Sequence, residues 1–287
     1  VTTTLPNFYD PFNNRNVLAL QYTVGNPELT PEIARNTTAG ISLNNPSWLP
    51  GFSASFDWYK IKIDDVIGSL GAGDIVNYCF TQILPQTCGS FNLNNPNGPN
   101  FINVQSFNFA SIKTEGFDIE ASYQWRNPLG LPGTLTLRAL ATHVAKYISD
   151  TGLPGTIPND QAGQNLGATP DWKWMAQQSY SNDQFSFFLQ ERWFSDGVIS
   201  NNYVECEAGS CPISTGNNQT ISPEDNQIPG AFYMDVGGTY NITPQITAYF
   251  KVDNLFDRDP AIVHIFSNPA LYDALGRTYR GGVRFKF

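Results

Sequence analysis

The C-terminal segment 277–287 alternates between two kinds of side chain and ends on an aromatic residue. One parity is apolar or small: Tyr279, Gly281, Val283, Phe285 and Phe287. The other is polar, cationic or small: Thr278, Arg280, Gly282, Arg284 and Lys286. Because successive side chains of a strand point to opposite faces, this segment predicts a strand with one apolar and one cationic face. A terminal strand of this kind is typical of β-barrels whose apolar side faces lipid.

The composition restricts the alternatives. Only 14% of the 287 residues are charged, which suits a chain with many lipid-facing side chains, and 14% are aromatic. No apolar run reaches the roughly eighteen residues that a membrane-spanning helix needs, whereas a membrane barrel shows only dispersed alternation. The net charge of −9 argues against nucleic acid as a partner, because binding to phosphates requires clustered Lys and Arg.

The cysteines form two close pairs in turn-rich sequence: Cys79 with Cys88, and Cys206 with Cys211. Four cysteines allow three connectivities, and closeness in sequence favours these two local disulfides. A zinc site is the alternative, but the spacings lack a CxxC pair. Both histidines, His143 and His264, are also remote in sequence from the two cysteine pairs. Disulfides indicate an oxidising compartment, consistent with passage through a periplasm.

Alternating segments recur along the chain and predict strands joined by two kinds of connection. The predicted strands are 34–44, 52–63, 117–125, 134–142, 172–177, 185–193, 232–240, 246–252 and 277–287. Short joins begin near 45, 127, 182 and 241; long ones begin near 64, 149, 200 and 255. Lipid forbids unpaired backbone, so irregular structure must collect outside the membrane. We therefore expect periplasmic short turns and C-terminus, and extracellular long loops that carry both cysteine pairs.

The first long connection, 64–108, is predicted as one large loop with a short helix over 73–84 that points Ile75, Tyr78 and Ile83 inward. A soluble all-β fold remains an alternative for the whole chain, because the polar face of each strand could be its solvent side. The asymmetry of the connections and the terminal aromatic favour the membrane barrel.

Two C-terminal segments resemble the signature of TonB-dependent outer-membrane receptors. They are Val-Asp-Asn-Leu-Phe-Asp at 252–257 and Tyr-Asp-Ala-Leu-Gly-Arg-Thr-Tyr-Arg-Gly-Gly-Val at 272–283. The upstream segment 25–32, Gly-Asn-Pro-Glu-Leu-Thr-Pro-Glu, resembles the GNPxLxPE element of the family, and 58–67 is similar to the strand that follows it. The matches occur in the order of the family and bracket nearly the whole chain.

The resemblance implies an antiparallel transmembrane barrel of about twenty-two strands that is plugged by an N-terminal domain. Residues 1–287 would supply about nine C-terminal strands, with the plug and the preceding strands outside this sequence. The implied partners are outer-membrane lipid, the barrel-assembly machinery, the TonB energy-coupling complex, a small nutrient ligand and the remaining N-terminal part of the receptor. No cofactor and no metal are expected.

Ligand residues are expected in the third long loop, where Asn201, Asn202, Tyr203 and Glu205 could hydrogen-bond and stack on a sugar. The loops lack the dense Arg and Lys that would attract an anionic ferric siderophore. The sequence therefore favours uptake of a carbohydrate or other organic nutrient. Siderophore or other metal-complex uptake is the alternative, and a structural or adhesive barrel is the alternative from another class.

Other polar residues receive structural interpretations. His143 or His264 could act as a base beside an acid such as Asp259, but their spacing defines no triad, so we expect no enzyme. The Asp253-Asn254 pair would satisfy backbone groups of a turn, with ligand binding as the alternative. Tyr279, Val283, Phe285 and Phe287 would serve as the recognition signal for barrel assembly.

Overall fold

The computed structural model describes residues 2–95, 98–153, 155–214, 219–261 and 268–286, most of which lie in β-strands. The strands are β1 (Thr2–Asp10), β2 (Arg15–Thr23), β3 (Ile33–Asn44), β4 (Phe52–Ser69), β5 (Phe91–Asn92), β6 (Asn100–Val104), β7 (Ser106–Arg126), β8 (Thr134–Asp150), β9 (Asn159–Asp160), β10 (Trp172–Ser181), β11 (Phe185–Phe194), β12 (Gly197–Val198), β13 (Val204–Glu205), β14 (Thr220–Ile221), β15 (Gln227–Ile228), β16 (Ala231–Thr243), β17 (Ile246–Asp253) and β18 (Thr278–Phe285). The α-helices are α1 (Ala72–Phe80) and α2 (Pro223–Asn226), and short 3-10 helices cover Pro85–Ser90, Pro128–Gly130 and Asn165–Gly167.

The main sheet has ten strands in the order β18-β17-β16-β11-β10-β8-β7-β4-β3, with β9 paired to β8. The pairings from β8 through β18 are antiparallel. Each predicted alternating segment overlaps one strand of this order, so the prediction of an antiparallel all-β fold is confirmed. Closure of a barrel and its complete number of strands stay predictions. No helix within the described ranges is long and apolar enough to cross a membrane.

The chain forms two compact units, and the second comprises 36–61, 113–148 and 159–287. In this unit the strand register gathers aromatic residues on one face. Trp174 lies opposite Trp193, and Trp193 lies opposite Phe232, with ring centroids of Trp174 at 6.3 and 6.1 Å from the other two. Since neighbouring residues of a strand point oppositely, the polar face carries the residues between them.

The first unit comprises 1–35, 62–112 and 149–158 and contains a smaller sheet in the order β1-β2-β6-β5. Strand β2 is antiparallel to β1 and parallel to β6. Its core combines buried residues of strands, of α1 and of their connections: Ala19, Leu70, Ala72, Ile75, Val76, Leu93, Ile102 and Val104. This small sheet therefore has a hydrophobic core of its own.

The prediction of one large loop over 64–108 was wrong. Strand β4 continues to Ser69, and the same stretch contains α1, β5, β6 and the beginning of β7. Strands β5 and β6 are short and interspersed with Asn, so they give little alternation. Their apolar residues, including Ile102 and Val104, are instead buried in the core of the unit.

The predicted helix is present over Ala72–Phe80 but ends earlier than expected. It stops at Thr81, whose backbone N–H donates to the carbonyls of Asn77 and Cys79. Ile75 is buried as predicted, whereas Ile83 lies beyond the helix and is 42% exposed, so its inward placement was wrong. A disulfide from Cys79 to Cys88 joins the helix to the 3-10 turn that follows.

Candidate functional site

A row of dissimilar side chains crosses the polar face of the second unit near the long connections. The register places Met175 opposite Arg192 and Arg192 opposite Tyr233. Lys173 precedes Met175 by two residues and pairs with Phe194, so it lies on the same face. These residues lie towards the ends of β10, β11 and β16 that are joined to the long connections.

The connection after β17 folds back over this row. Leu271 and Tyr272 pack against a buried cluster that contains Phe194 and Tyr233. The Tyr272 hydroxyl donates to the Pro229 carbonyl oxygen. Burial raises the pKa of Tyr272 to about 12, with a smaller contribution from Tyr233. Tyr272 is therefore a neutral, buried anchor for the returning segment.

Between the returning segment and the strands lies a cavity of about 300 Å³. Its wall includes Leu140, Thr142, Lys173, Met175, Arg192, Phe194, Tyr233, Ala270 and Leu271. Most of these side chains are apolar, and two are cationic. The volume is at the lower end of ligand pockets, so the cavity can hold a part of a ligand and not a large complex.

The two cations of this wall differ in their surroundings. One guanidinium nitrogen of Arg192 lies 3.5 Å from the Asp235 carboxylate, its carbon lies 5.5 Å from the centre of the Tyr233 ring, and its Nε has no hydrogen-bond partner. Lys173 is exposed and makes no ion pair within the described ranges. Asp235 also accepts a hydrogen bond from the Asn254 backbone N–H. Asp118, on β7, accepts a hydrogen bond from the wall residue Thr142 at 2.7 Å, so the two cations of the wall have two carboxylates nearby.

Asn254 fixes the start of the connection after β17. It is fully buried, and its side chain both accepts from the Arg258 backbone N–H at 2.9 Å and donates to the Arg258 carbonyl at 3.0 Å. Its φ of 50° lies in the left-handed region, which Asn tolerates better than most residues. The prediction that the Asp253-Asn254 pair satisfies backbone groups of a turn is confirmed for Asn254, whereas the Asp253 carboxylate pairs with the side chains of Lys251 and Arg280.

The two ends of the same connection are joined by Asp257 and Arg277. The Asp257 carboxylate accepts from the Arg277 backbone N–H at 2.8 Å and from its guanidinium at 3.1 Å. These hydrogen bonds lower the pKa of Asp257, the backbone bond having the larger effect. The same pair raises the pKa of Arg277. The signature residues thus hold the connection closed at its base.

The predicted ligand residues lie in the connection after β11, outside the cavity wall. The Asn201 side chain donates to the carbonyls of Asp160 and Ala162, at 2.7 and 2.6 Å. The Glu205 carboxylate accepts from Asn226 at 2.8 Å. Asn201 thus fixes backbone and Glu205 fixes the side chain of Asn226, while Tyr203 is partly exposed.

The remaining predicted residues have simple placements. The backbone N–H of Asn202 donates to the Ser200 hydroxyl. Both predicted disulfides are confirmed: Cys79 with Cys88, and Cys206 with Cys211. Of the residues predicted to signal barrel assembly, Tyr279, Val283 and Phe285 are exposed on β18, and Phe287 lies outside the described residues.

The histidines offer no acid-base pair among the described residues. The Nδ1 of His143 lies 3.0 Å from the Asp171 backbone carbonyl, and its ring stacks on Trp172 with centroids 4.4 Å apart. His143 therefore has a packing role. The other histidine, His264, lies outside the described residues.

Sequence reasoning missed Lys173, Arg192 and Tyr233 as a group. Each lies in a strand, whereas ligand residues were expected in loops. Their alternation with Trp172, Trp174 and Trp193 does assign them to the polar face. Their proximity depends on the register between three strands, which alternation alone does not define.

A family model described as TonB dependent receptor-like, beta-barrel matches residues 2–255. The chain therefore belongs to the TonB-dependent receptor family of Gram-negative outer membranes, as its C-terminal signature predicted. This is a family of receptors and transporters, not of enzymes. Comparison with curated proteins finds no match.

Several solved structures share the fold at low identity. A mutant of the ferric enterobactin receptor of Pseudomonas aeruginosa has a TM-score of 0.57 and 16% identity, covering 100% of this chain and 35% of its own. The FrpB iron transporter of Neisseria meningitidis has 0.57 and 18%, covering 93% and 32%. The siderophore receptor PirA of Acinetobacter baumannii has 0.59 and 15%, covering 98% and 35%. The chain thus spans about a third of the length of these proteins.

Proposed function

We propose that this chain forms the C-terminal part of the barrel of an outer-membrane receptor that takes up an iron complex of the siderophore type by TonB-dependent transport. Family membership supports the transport, and similarity to receptors for ferric enterobactin, iron and a siderophore supports the ligand class. The observation that carries the proposal in this chain is the cavity between the returning segment and the strands. Its wall contains Lys173, which is exposed and has no ion pair within the described ranges, and Arg192, which lies 3.5 Å from its Asp235 partner, and such cations attract an anionic complex.

This proposal replaces the expectation of a carbohydrate ligand. That expectation relied on loops with few basic residues and on the polar side chains of 201–205. The two cations are on strands, not on loops, and Asn201 and Glu205 are already hydrogen-bonded to the protein. The iron complex therefore has the better support.

The proposed receptor directs its long connections to the cell exterior and its short turns and C-terminus to the periplasm. Two highly exposed residues test this orientation: Ile213 in a long connection, 89% exposed, and Leu129 in a short turn, 85% exposed. A membrane-impermeant maleimide should label Ile213→Cys in intact cells and Leu129→Cys only after lysis. The opposite pattern would contradict the orientation.

Deletion of the complete gene tests the ligand class. The mutant should lose growth on, and uptake of, at least one radiolabelled ferric complex under iron limitation, while growth on sugars as sole carbon source is unchanged. Removal of the TonB complex should abolish the same uptake in the parent strain. Loss of growth on a sugar with normal iron uptake would overturn the proposal in favour of carbohydrate transport.

A further inference from the structure

We infer that the cavity between the returning segment and the strands binds a planar aromatic group that carries negative charge, as one arm of the transported complex. The inference rests on the proposed uptake of an iron complex and defines the chemistry of the part that contacts this wall. It follows from the lining residues and the charged groups of the cavity.

The walls of the cavity favour a flat apolar group. Met175 and Leu140 lie on neighbouring strands opposite each other, and Leu271 of the returning segment also lines the cavity. The aromatic side chains of Phe194 and Tyr233 complete the lining. Rings stack and pack well against such side chains, with centroids about 4.5–7 Å apart.

The charged groups of the cavity favour an anionic substituent on that ring. Lys173 and Arg192 contribute two positive charges, and the nearby acids are Asp118, which accepts a hydrogen bond from Thr142, and Asp235, which lies 3.5 Å from Arg192. Because this separation is long for a charge-assisted hydrogen bond, Asp235 leaves donors of Arg192 open to a ligand. A carboxylate or phenolate would meet both cations.

A sugar fits this wall poorly. A sugar presents many hydroxyl groups, and each one that is buried without a partner costs about 1–3 kcal/mol. Thr142, Lys173, Arg192 and Tyr233 are the polar side chains of the described wall, and Tyr233 already accepts a hydrogen bond from the Asp273 backbone N–H. The same shortage of partners disfavours aliphatic complexes with many exposed oxygens.

The test measures equilibrium binding to the complete purified receptor. The probes are iron-free dihydroxybenzoate, a ferric complex with aryl arms, and a ferric complex of an aliphatic hydroxamate. One variant combines Lys173→Gln and Arg192→Gln and removes both positive charges. The other, Met175→Gln, makes the apolar lining polar at similar side-chain volume. The control is Arg138→Gln, on the same face but outside this cavity and paired with Glu120 at 2.7 Å.

We expect the double variant to weaken binding of both aryl probes by about tenfold or more, the size expected for one charged hydrogen bond. Met175→Gln should weaken the same probes by a smaller factor, and Arg138→Gln should change none of them. Binding of the hydroxamate complex should be the same in all variants. Heat-modifiable mobility of each variant verifies that it is folded.

Two results would overturn the inference. In the first, the folded double variant binds the aryl probes as tightly as the parent does. In the second, its affinity falls equally for aryl and hydroxamate complexes, which indicates a general electrostatic attraction and not a pocket for an aryl group. The proposed function fails separately, if the gene deletion leaves uptake of every ferric complex intact. Binding of dihydroxybenzoate does not depend on that transport result.

Discussion

The long connections after β11 and after β17 belong to the same unit but are anchored differently. In the first, the disulfide from Cys206 to Cys211 closes a short ring, and buried Asn226 bonds to Ser200 and Glu205 of the same connection. In the second, Asn254 and Tyr272 are buried and bonded to other parts of the unit.

The difference concerns what each anchor holds in place. The ring and the Asn226 bonds organise the first connection internally. In the second connection, the backbone N–H groups of Asn254 and Asp273 donate to Asp235 and Tyr233 of strand β16. The first connection reaches a strand through Asn201, which donates to the Asp160 carbonyl of β9, whereas the second is bonded to β16 and forms one side of the cavity. Its anchors should therefore matter most for stability and for the ligand.

Replacement of Asn254 by Ala should have the largest effect. The change removes two side-chain hydrogen bonds from a fully buried site and places Ala at a φ of 50°. Each lost buried bond costs about 1–2 kcal/mol and the left-handed backbone about 1 kcal/mol, so we expect a loss of about 3–5 kcal/mol. The measurement is the free energy of unfolding of the receptor in denaturant.

Asn254→Gly is the matched control for this prediction. Gly also lacks the hydrogen bonds but accepts a positive φ at no steric cost. It should recover about 1 kcal/mol relative to Ala. Equal losses in both variants would show that the backbone conformation contributes nothing. No loss in either would show that the Asn254 hydrogen bonds do not stabilise the second connection.

Removal of the disulfide in the first connection should have a smaller and more local effect. The chain-entropy model gives about 2 kcal/mol for the ring from Cys206 to Cys211, and Cys211 is exposed, so no packing is lost with it. The double Ser variant should be cut faster by protease near 206–211. Aryl-probe binding should be unchanged. Altered binding would show that the first connection also shapes the cavity.

Replacement of Tyr272 by Phe should cost about 1 kcal/mol through loss of the hydrogen bond to Pro229. It should also change the response to alkali. Since the pKa of Tyr272 is raised from 10 to about 12 by burial, its stabilising effect is complete below pH 10 and is lost as pH rises towards 12. Between these pH values, the free energy of unfolding should fall less steeply with rising pH in the variant than in the parent. An identical pH dependence would contradict the buried role.

The sequence was informative where structure depends on neighbouring residues. Alternation assigns Trp174 and Lys173 to opposite faces, and closeness pairs Cys206 with Cys211. The role of Asn254 in fixing turn backbone was predictable because its side chain hydrogen-bonds to Arg258, a few residues away. These features need no knowledge of the tertiary fold.

The cavity and the role of Asn201 depend on distant residues. Arg192 meets Met175 and Tyr233 through strand register, and Leu271 reaches them through a returning segment. Asn201 binds carbonyls about forty residues earlier in the chain, so a side chain that is typical of a ligand site is used to fix backbone. The strands β1 and β2 were missed because their segments alternate weakly, although β2 contributes Ala19 to a buried core.

Replacement of Asp257 by Asn should have the smallest effect, because the side chain is exposed and its bonds to Arg277 compete with water. Asn keeps an acceptor for the Arg277 backbone but loses the charge. In the parent the lowered pKa of Asp257 means that its contribution is present above the ordinary range near 4 and is lost as the pH falls below it. Proteolysis within 257–277 should therefore accelerate in acid for the parent, with a weaker dependence in the variant. If the parent shows no such acceleration while Tyr272→Phe still destabilises it, the second connection is fixed by its buried anchor alone.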